Sequence, residues 1–347
     1  MNILGIETSC DETAAAVVQD GCKVLSSIVY TQIPLHKPYG GVVPEIASRA
    51  HIEKINEVVT TAIKEANVKL NAIAVTYGPG LSPALIVGLN AAKGLAASLG
   101  IDLIAINHLE AHLHTPFLDT DLDPRNYEPM LGLVVSGGHT NWVDMPRYGE
   151  YHTIGQTLDD AAGEAFDKAA KLLALGYPGG PVIDKIAREW GRHDLIPFPK
   201  GRPREGVSAL AGLSASLCVS FSGLKTALLR YVEKNGGAES LIAQAETPRI
   251  VASYQEAVIG ALKDRTLEAL KRRNYKALVV GGGVSLNSRL REVLGDMASC
   301  KKIPLLLAKP KYCGDNGAMI AALAYWRRNI SGADAMKIDV APSLEVG

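Results

Sequence analysis

The sequence has few cysteines, and their spacing follows no pairing pattern. It contains 5 cysteines in 347 residues, and no two of them form a C-x-x-C pair. Disulfide-framed secreted domains and many zinc or redox sites use an even number of regularly spaced cysteines. The composition therefore argues against a disulfide framework and predicts reduced thiols in a cytosolic protein.

Long apolar runs and a charged leader are also missing. No uninterrupted apolar stretch reaches the roughly 18 residues that a membrane-spanning helix needs, because Lys93 interrupts the longest candidate. The opening residues, MNILGIETS, enter an apolar run without a basic leader or a cleavage site. We therefore expect a cytoplasmic protein without a membrane span.

The sequence has no excess of either charge, since Lys+Arg 36 equals Asp+Glu 36. Binding to nucleic acid would consequently depend on a local basic surface and not on a global field. Two segments could supply one, the loop with Lys200, Arg202 and Arg204 and the basic run 271–273. Such clusters are more commonly solvated surface than binding sites.

No Walker-type phosphate loop, G-x-x-x-x-G-K-[ST], is present. Four turns of small residues nevertheless follow predicted strands, at 8–9, 78–80, 136–138 and 281–283. Backbone N–H groups at such turns can bind a phosphate or a ribose. One tight turn is usually only a connection, but four in one frame favour a nucleotide ligand.

Two segments, 3–18 and 131–145, share one plan: an apolar strand, a tight polar turn and a second strand. Alternating helices and strands follow each copy. This duplication predicts an α/β fold of two similar lobes, with largely parallel mixed sheets covered on both faces and a central cleft.

The periodicity predicts individual elements and boundaries. Helices are expected over 44–66, 82–99, 157–176, 247–273 and 315–328, and strands over 72–77, 101–107 and 277–283. The expected division is an N-terminal lobe 1–115, a linker 116–129, a C-terminal lobe 130–314 with an insertion near 191–222, and a terminal helix and tail 315–347 packing back toward the N-terminal lobe.

His108 and His112 form the most informative pair in the chain, because four residues of helix rotate by about 400° and place both imidazoles on one face. Asp315, between Gly314 and Gly317, offers a third ligand, and glycines leave room for close approach to the backbone. Two imidazoles and one carboxylate leave coordination positions open, which suits substrate chemistry. We expect these ligands to meet across the groove between the lobes.

Two other interpretations of the histidine pair stay open. In a zinc protease the motif H-E-x-x-H places the glutamate beside the first histidine as general base. Here the acid is Glu110, rotated by about 200° from His108 and facing away. The pair could also be two histidines satisfied structurally at a helix end.

Nine motifs closely resemble the bacterial TsaD family of tRNA threonylcarbamoyladenosine transferases, from one end of the chain to the other. They are IETSCDET (6–13), YGGVVPEIASRAH (39–51), GPGL (78–81), NHLEAH (107–112), LVVSGGHT (133–140), DDAAGEAFDKAAKLLALGYPGGP (159–181), SFSGLKT (220–226), GGGVSLN (281–287) and CGDNGAMIA (313–321).

The resemblance implies an actin/hexokinase/Hsp70-like fold with two lobes. It implies transfer of a threonylcarbamoyl group from threonylcarbamoyl-AMP to the exocyclic amine of the adenosine 3′ of the anticodon, in tRNAs reading codons that begin with A, with release of AMP. It also implies one divalent metal ion held by His108, His112 and Asp315, Fe²⁺ in the first place and Zn²⁺ as the alternative.

The family's ligand-binding positions fall on Val134, Val135, Ser136, Gly137, Gly138, Asp167, Gly180, Asp184 and Asn287. Asn287 could be a plain helix cap or a ribose ligand. Asp11 and Glu12, at the tip of the first hairpin, are candidates for catalytic proton transfer, although acids are common in turns. Archaeal and eukaryotic relatives add a tyrosine near the metal, and the strand LGLVVSGG has none.

The expected partners are tRNA, a TsaB-like paralogue without the metal site and a TsaE-like P-loop ATPase. Two other classes of function remain possible. An ATPase or small-molecule kinase of the same superfamily would hold Mg²⁺ through carboxylates and phosphates and would not need two imidazoles. A non-catalytic nucleotide-binding scaffold is the third possibility.

Overall fold

A computed structural model describes residues 1–203 and 213–347, so that Arg204 and the rest of 204–212 within the expected insertion lie outside the described residues. The chain forms two compact units. Unit 1 comprises Met1–Asn126, Arg147–Tyr151 and Leu307–Gly347, and unit 2 comprises Tyr127–Pro146 and His152–Leu306. The segment expected to be a linker, 116–129, includes the end of one 3-10 turn, Thr115–Phe117, and the whole of another, Pro124–Tyr127.

Strands of the described residues form two five-stranded sheets. The first sheet contains β1 (Asn2–Glu7), β2 (Glu12–Gln19), β3 (Lys23–Thr31), β4 (Ala72–Gly78) and β5 (Asp102–Asn107). The second contains β6 (Met130–Val135), β7 (Thr140–Met145), β8 (His152–Gln156), β9 (Ala277–Gly281) and β10 (Leu305–Leu307).

The two sheets repeat one topology. The first has the order β3-β2-β1-β4-β5, and the second, read from its other end, has the order β8-β7-β6-β9-β10. In each, the first strand pairs antiparallel with the second and parallel with the fourth, as β1 does with β2 and β4. The duplication predicted from segments 3–18 and 131–145 is therefore confirmed.

The helices cover both sheets. They are α1 (Ile33–His36), α2 (Pro44–Ala66), α3 (Ser82–Leu99), α4 (His108–His114), α5 (Ala162–Leu172), α6 (Gly179–Trp190), α7 (Ser222–Lys234), α8 (Gly237–Ala243), α9 (Thr247–Ala269), α10 (Ser288–Lys301), α11 (Gly317–Trp326) and α12 (Gly332–Lys337). Helices α2 and α3 have the predicted bounds. Among the described residues, no helix is both long and apolar enough to cross a bilayer.

Strand β1 is buried on both faces, which explains its continuous apolar sequence. On one face Leu4 and Ile6 share a core with α2 and α3, including Ile55 and Leu89. On the other face Ile3 packs in a cluster that contains most of the side chains of α11. Helix α11 is consequently apolar all round, as a fully covered helix must be.

The helix predicted over 157–176 is shorter, and its predicted start at Thr157 is wrong. Thr157 and the next residue hydrogen-bond to Thr140 and Val219, so this segment extends the sheet edge. Helix α5 begins at Ala162, whose N–H donates to Thr140 Oγ1 over 2.9 Å. The first N–H groups of α5 donate to acceptors in the β6–β7 hairpin. Because these acceptors lie outside the segment 157–176, its sequence pattern could not indicate them. Helices α9 and α11 are also shorter than predicted, ending at Ala269 and Trp326.

Glycine at position 5 lets α11 lie directly on the first sheet. A Cβ atom on Gly5 would overlap the Gly317 carbonyl oxygen and would lie 2.5 Å from the Ala321 nitrogen. Backbone atoms cannot move aside as the end of a side chain can. The glycine is therefore required by close packing and not by an unusual backbone conformation.

We predict that Gly5→Ala lowers the free energy of unfolding by about 1–3 kcal/mol through overpacking. Gly94→Ala is the matched control, because Gly94 is exposed in α3 and a Cβ there would meet nothing within 4 Å. Replacing that helical glycine should stabilise by about 0.5–1 kcal/mol. Urea denaturation of both variants measures the difference, and equal stabilities would contradict the packing argument.

Candidate metal centre

Helix α4 carries His108 and His112 on one face. Strand β5 ends at Asn107, whose side chain begins the helix: its Oδ1 accepts hydrogen bonds from the backbone nitrogens of Leu109 at 2.8 Å and Glu110 at 3.3 Å. This is an ordinary N-cap, which satisfies N–H groups that have no partner inside the helix. His108 is 4% exposed and His112 is 0% exposed. Both imidazoles are therefore placed in the protein interior.

Asp315 lies in the loop just before α11. The next residue, Asn316, caps that helix by accepting from the Met319 nitrogen at 3.0 Å, and its amide donates to the Gly314 carbonyl at 2.8 Å. The space beside Gly317 is filled by the backbone of β1 and β2, whereas a Cβ on Gly314 would meet nothing within 4 Å. Of the two flanking glycines, only Gly314 borders open space.

The helix and the loop bring three ligand atoms together, one from each of His108, His112 and Asp315, all within 4.8 Å of one another. Asp315 Oδ1 lies 3.6 Å from His108 Nε2 and 3.1 Å from His112 Nε2. Bonds of about 2.0–2.2 Å to one metal ion place neighbouring ligand atoms about 3–3.5 Å apart. The spacing fits a metal centre. All three residues belong to unit 1, so the expectation of a site assembled across two lobes was wrong.

His112 provides an independent test of this fit. It is fully buried, and neither of its ring nitrogens has a hydrogen-bond partner, although Nε2 lies close to the Asp315 carboxylate. A buried polar nitrogen without a partner costs about 1–3 kcal/mol. A metal ion bound to Nε2 would give one of these nitrogens a partner. If the two histidines had only a structural role at the helix end, both nitrogens of His112 would stay without one.

Glu7, which the sequence analysis missed, orients the first histidine. Its carboxylate Oε2 lies 2.9 Å from His108 Nδ1 and accepts a hydrogen bond from Thr76 Oγ1 at 2.6 Å. The Ser9 hydroxyl is 3.2 Å from the same ring nitrogen. A carboxylate on one imidazole nitrogen fixes the tautomer and presents the other nitrogen to a metal. Glu7 therefore fits the role of an outer partner of the metal ligand.

Burial and neighbouring charges of opposite sign act in opposite directions on the pKa values of Glu7 and His108. Burial by itself lowers the pKa of His108, but the Glu7 and Asp315 carboxylates outweigh it and raise the pKa to about 9. Burial raises the pKa of Glu7, and the neighbouring His108 brings it below its ordinary value. The buried Glu7 carboxylate and the partly buried Asp315 carboxylate, placed around two imidazoles, thus form an environment that favours a cation.

Glu110 points away from the ligand atoms, as the sequence predicted. It is 2% exposed, and its Oε2 forms an ion pair with Arg327 Nη1 at 2.8 Å. Burial raises its pKa to about 7, although Arg327 acts in the opposite direction. A zinc-protease base must reach a metal-bound water, and a carboxylate held by Arg327 on the other face of α4 does not serve that role.

Asp11 lies in the turn between β1 and β2, and Glu12 is the first residue of β2. Burial raises the pKa of Glu12 well above its ordinary value, and the charges of Asp11 and Asp315 raise it further. Burial also raises the pKa of the Cys10 thiol, which argues against a reactive thiolate there.

Unit 2 contains a separate cavity of about 440 Å³, a size typical of small-molecule sites. It is lined by Gly137, Gly163, Phe166, Asp167, Pro178, Gly180, Pro181, Asp184, Lys185, Arg188, Gly283, Val284, Leu286 and Asn287. Five of the nine predicted ligand-binding residues therefore border it. The cations Lys185 and Arg188 were not predicted, because isolated basic residues on a helix carry no distinctive pattern.

The other four predicted residues do not line this cavity. Val134 and Val135 are fully buried in β6, and Ser136 and Gly138 belong to the turn that follows. The Ser136 carbonyl accepts from the Gly163 nitrogen at 3.1 Å, and the Gly137 carbonyl accepts from the Glu164 nitrogen at 3.2 Å. This turn thus caps α5 and forms part of the structural support of the cavity.

Three polar residues of the cavity also hold its walls together. Asn287 caps α10 through Oδ1 and donates from Nδ2 to Gln255 Oε1 at 2.8 Å. Asp184 accepts from the Ser288 hydroxyl at 2.8 Å, and Asp167 accepts from the Gly179 nitrogen at 2.7 Å. Asn287 is therefore a helix cap that also borders the cavity.

The fold is shared with proteins of known structure. T. kodakarensis HypF superposes with a TM-score of 0.58 at 14% identity, covering 94% of this chain and 47% of that one. Component A of (R)-2-hydroxyglutaryl-CoA dehydratase from Acidaminococcus fermentans gives 0.50 at 12% identity, covering 94% and 98%. Together with the repeated sheet order, these similarities define an α/β protein of the actin/hexokinase/Hsp70-like class.

Sequence comparison identifies the family within that class. The family model described as TsaD, tRNA N6-adenosine threonylcarbamoyltransferase, matches residues 23–322. A protein of that name from Clostridium perfringens is 47% identical over 349 positions, covering 99% of this chain and 98% of the relative. One from Clostridium kluyveri is 45% identical over 351 positions, covering 100% and 98%. The chain belongs to the TsaD family, which implies a transferase with a metal cofactor.

We predict that Glu7→Gln weakens binding of Zn²⁺ to the metal-depleted protein by about 10–100-fold, because a neutral amide orients His108 less firmly and removes a charge. Glu57→Gln, at an exposed position on α2, is the matched control and should leave the affinity unchanged. Isothermal titration measures both. Equal affinities for the two variants would show that Glu7 does not support the site.

Proposed function

We propose that this chain transfers a threonylcarbamoyl group from threonylcarbamoyl-AMP to the exocyclic amine of the adenosine 3′ of the anticodon, in tRNAs reading codons that begin with A. Membership of the TsaD family supports this reaction. The observation that carries it is the convergence of His108, His112 and Asp315 beside Glu7. An ATPase or kinase that binds Mg²⁺ through carboxylates and phosphates would have no need of the two imidazoles.

The proposed reaction is an acyl transfer. The adenine amine forms a bond to the carbamoyl carbon, and the bond from that carbon to the phosphate oxygen of AMP breaks. The amine loses one proton, and AMP departs with the bonding electrons. Negative charge develops on the carbamoyl oxygen in the transition state, and preorganised electrostatic stabilisation of that charge is the main contribution expected from the protein.

His108, His112 and Asp315 would hold one divalent ion, which when bound supplies Lewis acidity to the carbamoyl oxygen. We propose Fe²⁺, because two histidines and one carboxylate with open positions are typical of non-haem ferrous sites, with Zn²⁺ as the alternative. Glu7 holds the ring of His108 from the side away from the ligand atoms. The protein's own contribution is thus a rigid ligand set.

In unit 2, the cavity of about 440 Å³ is the proposed position of the adenylate. Gly137 and Gly180 have open space where a Cβ would point, which allows a ligand to approach the backbone. Lys185 and Arg188 offer positive charge to a phosphate. Val134, Val135, Ser136 and Gly138 act through the shape of the turn that bears Gly137, and Asp167, Asp184 and Asn287 fix the cavity walls.

Asp11 and Glu12 are the proposed acceptors of the proton that the adenine amine loses. For Glu12, burial and the neighbouring negative charges raise the pKa above its ordinary value, which makes its carboxylate a better base near neutral pH than an ordinary one. An aromatic amine releases its proton late in the addition. The acceptor must therefore be close to the carbamoyl carbon after the new bond has formed.

The partners proposed for this chain are tRNA, a TsaB-like paralogue and a TsaE-like P-loop ATPase, and the proposed location is the cytoplasm. Of the basic segments considered for tRNA, the run 271–273 is partly neutralised, since Lys271 pairs with Glu268 at 2.6 Å and Arg273 with Asp144 at 3.1 Å. Lys200 borders a groove in unit 2. Phosphate contacts of this kind would make tRNA binding salt-sensitive.

We predict that His112→Ala lowers the rate of threonylcarbamoyl transfer by about 100-fold or more. Loss of a residue that orients a metal ligand typically costs about 10–100-fold, and loss of the ligand itself should cost more. The assay combines the purified protein with its expected partners, threonylcarbamoyl-AMP and a tRNA, and measures modified adenosine by mass spectrometry. His152→Ala, on an exposed position of β8, is the matched control and should stay within about twofold of wild type.

Two results would contradict the proposed function. One is full transfer by His112→Ala, which would separate the reaction from the metal ligands. The other is a pair of observations: the wild-type protein makes no modified adenosine, and His112→Ala uses ATP to phosphorylate a small metabolite. That pair would favour the kinase class.

A further inference from the structure

Residues 341–347, called here the C-terminal strap, run past the ends of β4, β5 and the start of α4. The Ala341 nitrogen donates to the Tyr77 carbonyl at 2.8 Å, and the Gly80 nitrogen donates to the Pro342 carbonyl at 3.1 Å. A Cβ on Gly78 would overlap the carbonyl oxygen of Ala341. The strap is therefore closely packed along the edge of the first sheet where β4 and β5 end.

The strap then contacts the first turn of α4. Asn107 Nδ2 donates to the Glu345 carbonyl at 2.7 Å, and the Gly347 nitrogen donates to Glu110 Oε1 at 3.3 Å. Glu110 is buried and also pairs with Arg327. Glu110 is about 200° around the helix from each ligand histidine. The strap thus supports α4 from the side opposite the metal ligands.

One side chain, Asn107, joins the strap to the ligand helix. It is 6% exposed and uses both ends of its amide. The oxygen caps α4 at the Leu109 and Glu110 nitrogens, and the nitrogen donates to the strap. Because His108 is the next residue, a rotation or shift of this first turn would move His108 Nε2 relative to Asp315.

We propose that the C-terminal strap is a positioning element of the metal centre, which acts through Asn107 and Glu110 to hold α4 where both imidazoles reach Asp315. This inference rests on the proposed metal function. None of the strap residues supplies a ligand atom. Their contribution is preorganisation, since a site held within a few tenths of an ångström binds a metal without first ordering its ligands.

The strap also contributes to folding, so the test must separate metal positioning from general stability. Asn107→Ser keeps a hydroxyl oxygen that can cap α4 but is too short to reach the Glu345 carbonyl. Deletion of residues 345–347 removes the Glu345 carbonyl that accepts this hydrogen bond and leaves Asn107 unchanged. The control is Lys93→Met, which removes the hydrogen bond from Lys93 Nζ to the Ile338 carbonyl, a tail contact outside the strap.

Affinity for Zn²⁺ is measured by titration of each metal-depleted variant against a competing chelator, without tRNA or adenylate. We expect Asn107→Ser and the deletion each to weaken Zn²⁺ binding by about tenfold or more, as loss of an outer support typically does. Lys93→Met should remain within about twofold of wild type. If Asn107→Ser does not fold, the deletion decides the question.

Unchanged affinity in Asn107→Ser or in the deletion would overturn the positioning role of the strap, and so would equal weakening by Lys93→Met. Wild-type protein that binds neither Zn²⁺ nor, in an anaerobic titration, Fe²⁺ would overturn the proposed metal function and this inference together. If the wild-type protein binds Zn²⁺ and the strap variants bind it with the same affinity, only this inference is overturned. The two failures are thereby distinguishable.

Discussion

The imidazole of His108, held between the carboxylates of Glu7 and Asp315, is the interaction on which the rest of the site depends. Burying the Glu7 carboxylate and two imidazoles costs free energy unless they are paired. Hydrogen bonds satisfy Glu7 and one nitrogen of His108, but neither ring nitrogen of His112 has a hydrogen-bond partner, although Asp315 Oδ1 lies 3.1 Å from Nε2. A cation resolves this imbalance. Apolar residues of the same volume often give equal or greater stability than a buried ionic cluster, so stability alone does not explain this one.

The same hairpin serves different purposes in the two units. In unit 1, β1 ends at Glu7, and the turn after it brings Ser9 within 3.2 Å of His108. In unit 2, the turn after β6 gives carbonyl oxygens to the start of α5, beside a cavity lined by Gly137 and Gly180. The repeated topology thus provides one anchored turn in each unit. The side chains placed on it determine whether it supports a metal centre or a small-molecule cavity.

Features with a local cause could be predicted from the sequence. Helix α2 runs from Pro44 to Ala66 as expected, because proline at its start and the period of its apolar residues are local signals. The i,i+4 spacing likewise identified the histidine pair, and the duplicated hairpins indicated the fold class. Each of these depends on residues close together in the chain.

Features that depend on distant contacts could not be predicted in this way. Glu7 and His108 are 101 residues apart, and the glutamate looked only like the polar end of a strand. The start of α5 was misplaced because its capping oxygen belongs to Thr140, 22 residues upstream. The strap contact between Asn107 and Glu345 spans 238 residues. In each case one partner has no distinctive pattern of its own.

An anomalous-scattering crystal structure of protein purified without oxygen, recorded at the iron and zinc absorption edges, tests the metal centre most directly. We predict one peak, about 2.0–2.2 Å from His108 Nε2, His112 Nε2 and an Asp315 carboxylate oxygen. A peak bound elsewhere, or these three side chains unligated in crystals saturated with either metal, would contradict it.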